Sequence, residues 1–314
     1  LQSRTRLARE ALDGIPALLV HYRQSVLASA FRGMLTAEWR SSQAPRTPVP
    51  VTLASVETPP RPARYGSRSV VISPGDYALA VGNPETELPD GWQWVPLVDV
   101  ARLESGHTPS RQHPEWWGGD VPWVSIPDAR DNHGRIIEKT TINTNQLGLA
   151  NSAARQLPAG TVCLCRTAAS IGYVTIFANQ MATSQDFVNW ICTSAINPHW
   201  LMYLLMAEYQ ALLRFSKGSA HKTVYFPEVI SFHVGLPPIE EQCRIVELVE
   251  SQMRGIDRLA IVVEAALANC SSLDQATMAS AFRGQLVGQD PADEPASAML
   301  ERIRAARIQA GDAH

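Results

Sequence analysis

The sequence predicts an α+β protein in which a mixed α/β domain is flanked by long helices that form an antiparallel coiled coil. Three observations predict it. The hexapeptide ASAFRG occurs twice, at Ala28–Gly33 and at Ala279–Gly284, and its flanks agree in type, Gln24 matching Gln275 and Leu27 matching Met278. So long a period rules out a solenoid or propeller, whose repeats run to about 20–50 residues, and points to two copies of one helical element bracketing a separate domain. Between the copies lie short strand-like runs, WQWVPLVDVARL, VPWVSIP, TVCLCRT and IGYVTIFA, punctuated by Gly, Pro and Asn. After them, apolar residues recur in steps of three and four at Val246, Val249, Met253, Ile256, Ala260, Val263, Leu267 and Cys270, the heptad seam of a coiled coil.

Residues 1–40 place apolar side chains at Ala8, Leu12, Ile15, Leu19, Tyr22 and Val26, again at helix-seam spacing. Gly14 and Pro16 predict a break between two helical pieces, because proline lacks the N–H and crowds the preceding turn. Gly33 predicts a C-terminal cap. Residues 41–90, with APRTPVPVT and ETPPRPARYG, read as an extended proline-rich tether. Residues 91–235 hold the α/β domain, in which HWLMYLLMAEYQALLRF is helical by length and pattern.

Residues 236–288 carry the seam helix. Pro237 and Pro238 fall at or ahead of its first turn, where a missing N–H costs nothing, and Glu240 and Glu241 favour the positive helix end. A helix in a globular core needs a wider apolar stripe. The seam therefore predicts a partner helix, and the repeat nominates residues 1–33 or an upstream continuation. Residues 289–314 form a C-terminal tail. The chain opens on a leucine inside a helical pattern, so a piece of a longer polypeptide is expected.

Charge divides unevenly: residues 1–90 carry 10 basic and 8 acidic side chains, residues 91–235 carry 10 of each, and residues 236–314 carry 7 and 12. A protein that grips nucleic acid unaided is usually basic, which a net charge of −3 is not. No apolar run reaches the length of about 18 residues that suggests a membrane span. Five cysteines, odd in number and without a C-x-x-C pair, read as reduced thiols of a cytoplasmic protein. Cys163 and Cys165 share one strand face, which predicts core packing. His107, His113 and His133 lack ligand spacing, so no metal is expected. Trp116, Trp117 and Trp123 read as anchors of the domain core.

Four segments, in this order, resemble the specificity subunit of type I restriction–modification systems. FRGMLTAEWR resembles the end of its central helical region, and LPDGWQWVPLVDVARLESGHTPSRQHPEWWGGDVPWVSIPD the opening of a target-recognition domain. GSAHKTVYFPEVISFHVGLPPIEEQCRIV resembles the close of that domain and the start of the distal helix, and FRGQLVGQDPADEPASAMLERI the C-terminus. The resemblance spans nearly the whole chain apart from about residues 46–90. A first recognition domain is absent, so the chain resembles the C-terminal half of a subunit, or a half-length subunit that works with a second copy.

The resemblance implies that two recognition domains read the two halves of a bipartite target in double-stranded DNA, at a spacing fixed by the paired helices. It implies partners: modification subunits that dock on the helices and methylate adenine from S-adenosylmethionine, and a restriction subunit that uses ATP and Mg to translocate and cleave. This chain would bind none of those cofactors. In keeping with this, the sequence holds no N/D-P-P-Y/F tetrapeptide, no glycine-rich cofactor loop and no Walker motif. The nuclease-like string Pro127-Asp128 with Glu138-Lys139 has the wrong spacing between acid and lysine. No catalytic residue is expected. Two rival readings remain: the reading half of a fused methyltransferase–specificity enzyme, and an assembly adaptor that does not read DNA.

A DNA reader must offer phosphate anchors and base-edge donors and acceptors. FSKGSAHKTVYF offers Lys217, Ser219, His221, Lys222 and Thr223, read as a phosphate and groove contact or as a solvated turn. SGHTPSRQ offers Thr108, Ser110 and Arg111 in a loop. ATSQDF offers Thr183 and Gln185; the glutamine reads as a satisfied core amide or as a bidentate partner of adenine. Arg166 reaches a guanine or pairs with a carboxylate. The expected subunit interface comprises Val246, Val249, Met253, Ile256, Val263 and Leu267, with Phe31 and Phe282 of the repeat.

Overall fold

The computed structural model describes residues 2–42, 47–60, 66–219, 222–288, 290 and 292–311. Helices α1 (Gln2–Asp13) and α2 (Ile15–Phe31) are separated at Gly14. Short helices α3 (Ala37–Ser42) and α4 (Val49–Ala54) follow. Then come β1 (Ser73–Pro74), β2 (Leu79–Val81), β3 (Gln93–Pro96), α5 (Leu97–Val100) and β4 (Ala101–Ser105). The next elements are β5 (Trp117–Val124), α6 (Ile126–Asp131), β6 (Ile136–Ile137), β7 (Ile142–Thr144) and α7 (Gln146–Ala150). They are followed by β8 (Val162–Cys165), β9 (Val174–Phe177), β10 (Ala182–Thr183) and β11 (Phe187–Cys192). Helices α8 (Pro198–Ala207), α9 (Tyr209–Phe215) and α10 (Phe226–Ile230) lead to β12 (Phe232–Leu236), α11 (Ile239–Phe282) and α12 (Ala296–Gly311). The chain divides into two compact units, Val20–Ile256 and the remainder, Leu1–Leu19 with Asp257–His314.

The larger unit is built on a five-stranded sheet of order β4-β11-β8-β9-β6. Its central strands are buried on both faces, and side chains alternate between two cores as the period of two requires. Val162 and Leu164 of β8 enter the main cluster, with Val188 and Trp190 of β11 and Trp200 of α8. Cys163 and Cys165 enter a second cluster with Phe177 and Phe187. The two cysteines thus share a face and are core residues; burial pushes both thiols up from their ordinary value. The helical stretch expected over residues 199–215 is divided into α8 and α9 at Glu208.

The expected tether is corrected. A second sheet runs β1-β2-β12-β3, so residues 73–81 pair antiparallel with the strand that closes the domain. Ala78 through Val81 are buried. The Glu208 carboxylate accepts the backbone N–H groups of Asp76, Tyr77 and Leu79 at 2.8–3.0 Å and fixes the turn that enters β2. Composition alone gave weight to the prolines and missed a three-residue strand whose partner lies about 150 residues away in the sequence. Val70, Val71 and Ile72, by contrast, are exposed.

Within the same unit α2 runs antiparallel to the first turns of α11. Tyr22 Oη donates to Gln252 Oε1 at 3.1 Å, and Thr36 Oγ1 donates to the buried Glu241 at 2.7 Å. Arg40 donates to the same Glu241 oxygen at 3.0 Å. Glu241, Gln242, Ile245, Val246 and Val249 are buried together, a stripe wider than a coiled-coil seam. Val26, Leu27, Ala30 and Phe31 pack into the same cluster as Ile245, Val246 and Val249. From Met253 the stripe narrows to the predicted positions, with Ile256 buried. Tyr22 lies off the seam, and Arg23, whose guanidinium meets the Met253 sulfur at 3.8 Å, stands closer to it.

In the smaller unit the seam continues through Ala260, half-buried, and Val263, buried, to Leu267 and Cys270, both half-buried. Arg9 of α1 donates to Ser271 Oγ at 3.2 Å and pairs with Asp274 at 3.0 Å. Leu12 and Ile15 are half-buried and Leu19 is buried, while Ala8 is exposed. The two repeat phenylalanines differ in this chain: the Phe282 side chain is 93% exposed, against 1% for Phe31. The tail carries α12, which the sequence reading did not assign.

The two copies of ASAFRG end their helices by one mechanism. Gly33 (φ 69°) and Gly284 (φ 68°) take the left-handed conformation open to glycine. The N–H of Gly33 reaches the Ala30 carbonyl and that of Met34 reaches Ser29, both at 3.0 Å. Gly284 and Gln285 repeat this on Ala281 and Ser280 at 3.0 and 2.8 Å. These are paired Schellman bonds, which satisfy carbonyls a helix end leaves open.

Candidate nucleic-acid interface

Strand register decides where the polar loops fall. In the five-stranded sheet β11 is antiparallel to both β4 and β8, with Val188 opposite Ser105 and Phe187 opposite Cys165. The end of β4, the start of β11, the end of β8 and the start of β9 therefore share one end of the sheet. The loops leaving that end carry the segments 106–113, 166–173 and 183–186. The segment 217–224 joins them, because Val224 N–H donates to the Arg166 carbonyl at 3.0 Å and Ala168 N–H to that of Lys222 at 2.7 Å.

The loops are bonded to each other. His107 N–H donates to the Thr183 carbonyl at 2.9 Å, and a Cβ on Gly106 would meet the Ser184 carbonyl at 2.1 Å, so only glycine allows this approach. Thr108 Oγ1 donates to Gln185 Oε1 at 2.8 Å on the exposed rim. Thr167 and Ser184 donate to the two oxygens of Asp186 at 3.1 and 3.0 Å. Lys217 and Thr223 exchange both backbone hydrogen bonds at 2.9 Å, closing a short loop that carries the exposed Ser219 and Lys222. His221, selected from the sequence in this loop, lies outside the described residues.

Two selected residues serve the scaffold. Thr183 is completely buried and its hydroxyl accepts from Asn189 Nδ2 at 3.0 Å, so it cannot reach a duplex. Arg166 donates from Nη2 to the Gln185 carbonyl at 2.9 Å and lies over the Phe226 ring at 4.7 Å, tying three loops together. Lys217 forms an ion pair with Glu228, while Lys222 projects from the loop.

Arg111 is held differently. Its guanidinium stacks on Trp117 at 3.8 Å and lies 5.5 Å from Trp123, and these two indoles meet edge-on at 5.2 Å. Trp117 Nε1 donates to the Ser110 carbonyl and Trp123 Nε1 to that of His107, both at 3.3 Å. Trp123 is buried, as expected of a core anchor, but Trp116 and Trp117 are only half-buried. Trp116 stacks on His113 at 4.0 Å. The sequence reading missed the role of the indoles as a holder for Arg111, and of Thr167 and Asp186 as loop ties. Arg111 and Trp117 are six positions apart in the sequence, and no local periodicity signals that contact.

Asp128, from the string tested for nuclease spacing, is a helix cap. Its carboxylate accepts from Ser125 N–H and Oγ and from Thr141 N–H and Oγ1, at 2.5–2.9 Å. Burial alone would raise this carboxyl; the hydrogen bonds from Ser125 and Thr141 outweigh it and hold Asp128 below the ordinary aspartate value. Among the described residues no group of three or more His, Cys, Asp or Glu side chains is arranged to hold a metal ion. No helix of the described residues is long and apolar enough to cross a membrane.

Residues 89–259 match the family profile described as the type I restriction modification DNA specificity domain. The chain is 30% identical over 163 residues to the type I restriction enzyme MjaIX specificity subunit of Methanocaldococcus jannaschii, covering 51% of this chain and 37% of that protein. It is 24% identical to the EcoDI specificity subunit of Escherichia coli, covering 99% of this chain and 65% of that protein. It thus spans less than two thirds of either relative. A chain solved in a study of complex assembly and conformational transition of the type I R-M system shares the fold, with TM-score 0.56 and 17% identity, over 90% of this chain and 58% of that one. The matched segment includes the five-stranded sheet, its loop-bearing end and the first turns of α11, and on that ground the chain belongs to the type I restriction modification DNA specificity family.

Proposed function

We propose that this chain is a non-catalytic DNA-reading component of a type I restriction–modification complex, its loop end reading one half of a bipartite duplex target. The observation that carries the reading is the convergence of four sequence-distant polar segments at one end of the sheet, within the family-matched region. Thr108, Ser110, Arg111 and Gln185 supply base-edge chemistry there, and Ser219, Lys222 and Thr223 supply contacts to the phosphates. The domain carries as many acidic as basic side chains. Binding therefore draws on partners for most of its electrostatic attraction, since counterion release scales with the phosphates neutralised.

The partners follow from the helices. α11 is 44 residues long, about 66 Å at 1.5 Å per residue, or roughly 20 base pairs at ~3.4 Å each. Paired with α1 and α2 as an antiparallel coiled coil, it sets the distance to a second recognition domain and offers its outer faces to modification subunits, with a restriction subunit joining them. S-adenosylmethionine, ATP and Mg belong to those partners.

The second recognition domain belongs to another part of the same polypeptide or to another chain. The experiment is methylation mapping of a host genome with and without this gene. A bipartite adenine-methylated sequence that vanishes with the gene supports the reading, and an unchanged methylome refutes it.

A further inference from the structure

We infer that Arg111 reads a guanine, and that Trp117 and Trp123 form the device that aims it; this rests on the DNA-reading function above. The guanidinium is stacked at 3.8 Å on one indole, and a second indole stands perpendicular to the first. The same two indoles donate their N–H groups to the carbonyls of Ser110 and His107. Backbone and side chain of the loop are thus held by one pair of rings. Stacking occupies a face of the guanidinium and leaves its donors free along the edges. With the described residues Arg111 makes no hydrogen bond or ion pair besides this stacking, although carboxylates capture Arg102, Arg130, Arg155 and Arg214 of the same domain.

Two acceptor classes match a planar fork, a guanine edge and a phosphate. The geometry favours guanine. O6 and N7 accept only a fork lying near the plane of the base, so a guanidinium of fixed plane gains from being held, whereas a phosphate accepts from many directions and is served by a mobile lysine. Lys222 is such a side chain on the neighbouring loop. Thr108, three residues from Arg111 on the same loop, and its partner Gln185 place further base-edge groups on the same rim.

The test uses the complex of this chain with its modification subunits and duplexes carrying the mapped target, with every base pair of the half-site changed in turn. The wild-type complex is expected to prefer guanine at one position by roughly 5- to 150-fold. Arg111→Ala and Arg111→Lys should lose that preference while keeping those at the other positions. Trp117→Leu, which leaves the arginine in place, should weaken the same preference alone.

Substituting 7-deazaguanine at that position, which removes N7, should cost the wild type several-fold and the Arg111 variants nothing. Equal weakening on all sequences with a lower salt slope would assign Arg111 to a phosphate and overturn the inference, as would a half-site without guanine. A wild-type complex without any sequence preference would overturn the DNA-reading function itself, and the assignment with it.

Discussion

Phe31 meets Trp200 edge-on, with ring centroids 5.6 Å apart, whereas Phe282, at the same place in the second copy of the hexapeptide, stands 93% exposed. The caps that end the two helices are alike, so the difference comes from what packs against each copy. Phe31→Ala should therefore destabilise the chain by about 3–5 kcal/mol, the usual cost of emptying a buried phenylalanine site. Phe282→Ala should change stability by less than about 0.5 kcal/mol. Denaturant unfolding of the two variants checks both values.

The buried seam gives a second prediction. Ile256 is buried on the narrow stripe of α11, and an aspartate there would place an unpaired carboxylate among apolar side chains, which costs several kcal/mol. Ile256→Asp should uncouple the helix pair and abolish assembly with modification subunits. Size-exclusion chromatography reads the outcome, and a complex of unchanged size would remove the coiled coil from the account.

Lys222 projects from a loop closed by the Lys217–Thr223 exchange and makes no side-chain ion pair with the described residues. Lys222→Ala should weaken binding alike on all DNA sequences and reduce the slope of log K against log salt by about one. Lys217→Ala should change that slope less, because Glu228 already takes its charge.

Asp128 carries a pH dependence of known sign. Its folded value lies below the ordinary aspartate value of 3.8, so the native state holds the proton less tightly than the unfolded chain. The stabilisation is present above about pH 4 and is lost as pH falls through the lower folded value. Asp128→Asn sets an amide N–H₂ against a backbone N–H of Ser125 or Thr141 and should cost about 1–3 kcal/mol at neutral pH. The gap between variant and wild type should close as the medium is acidified, measured by unfolding from pH 7 downward.

The local features of the fold were legible in the sequence. Gly14 breaks the first helix, Gly33 and Gly284 cap theirs, and the spacing from Met253 to Cys270 matches the buried stripe, because each signal is written within a few turns of one helix. Tyr22 and Ala8 were placed on the seam because they are the apolar residues at these steps, whereas the covered positions are their polar neighbours Arg23 and Arg9, in line with Leu12, Ile15, Leu19 and Val26. The strand at Leu79–Val81 was hidden because its evidence lies in β12, far along the chain. The site shows the same divide. Gln185, Thr108 and Lys222 were recognised as polar groups in loops, but their convergence depends on β4, β11 and β8 pairing at one end. Thr183 was misjudged because nothing in its neighbours reveals that Asn189 claims its hydroxyl.

The most direct test of the DNA-reading function is a band-shift selection on random duplexes with the complex of this chain and its modification subunits at physiological salt. Repeated selection is expected to enrich one bipartite sequence, and the half-site read by this domain should follow the loops at residues 106–113, 183–186 and 217–224 when they are exchanged. Retention of all sequences alike by an assembled, intact complex would contradict it.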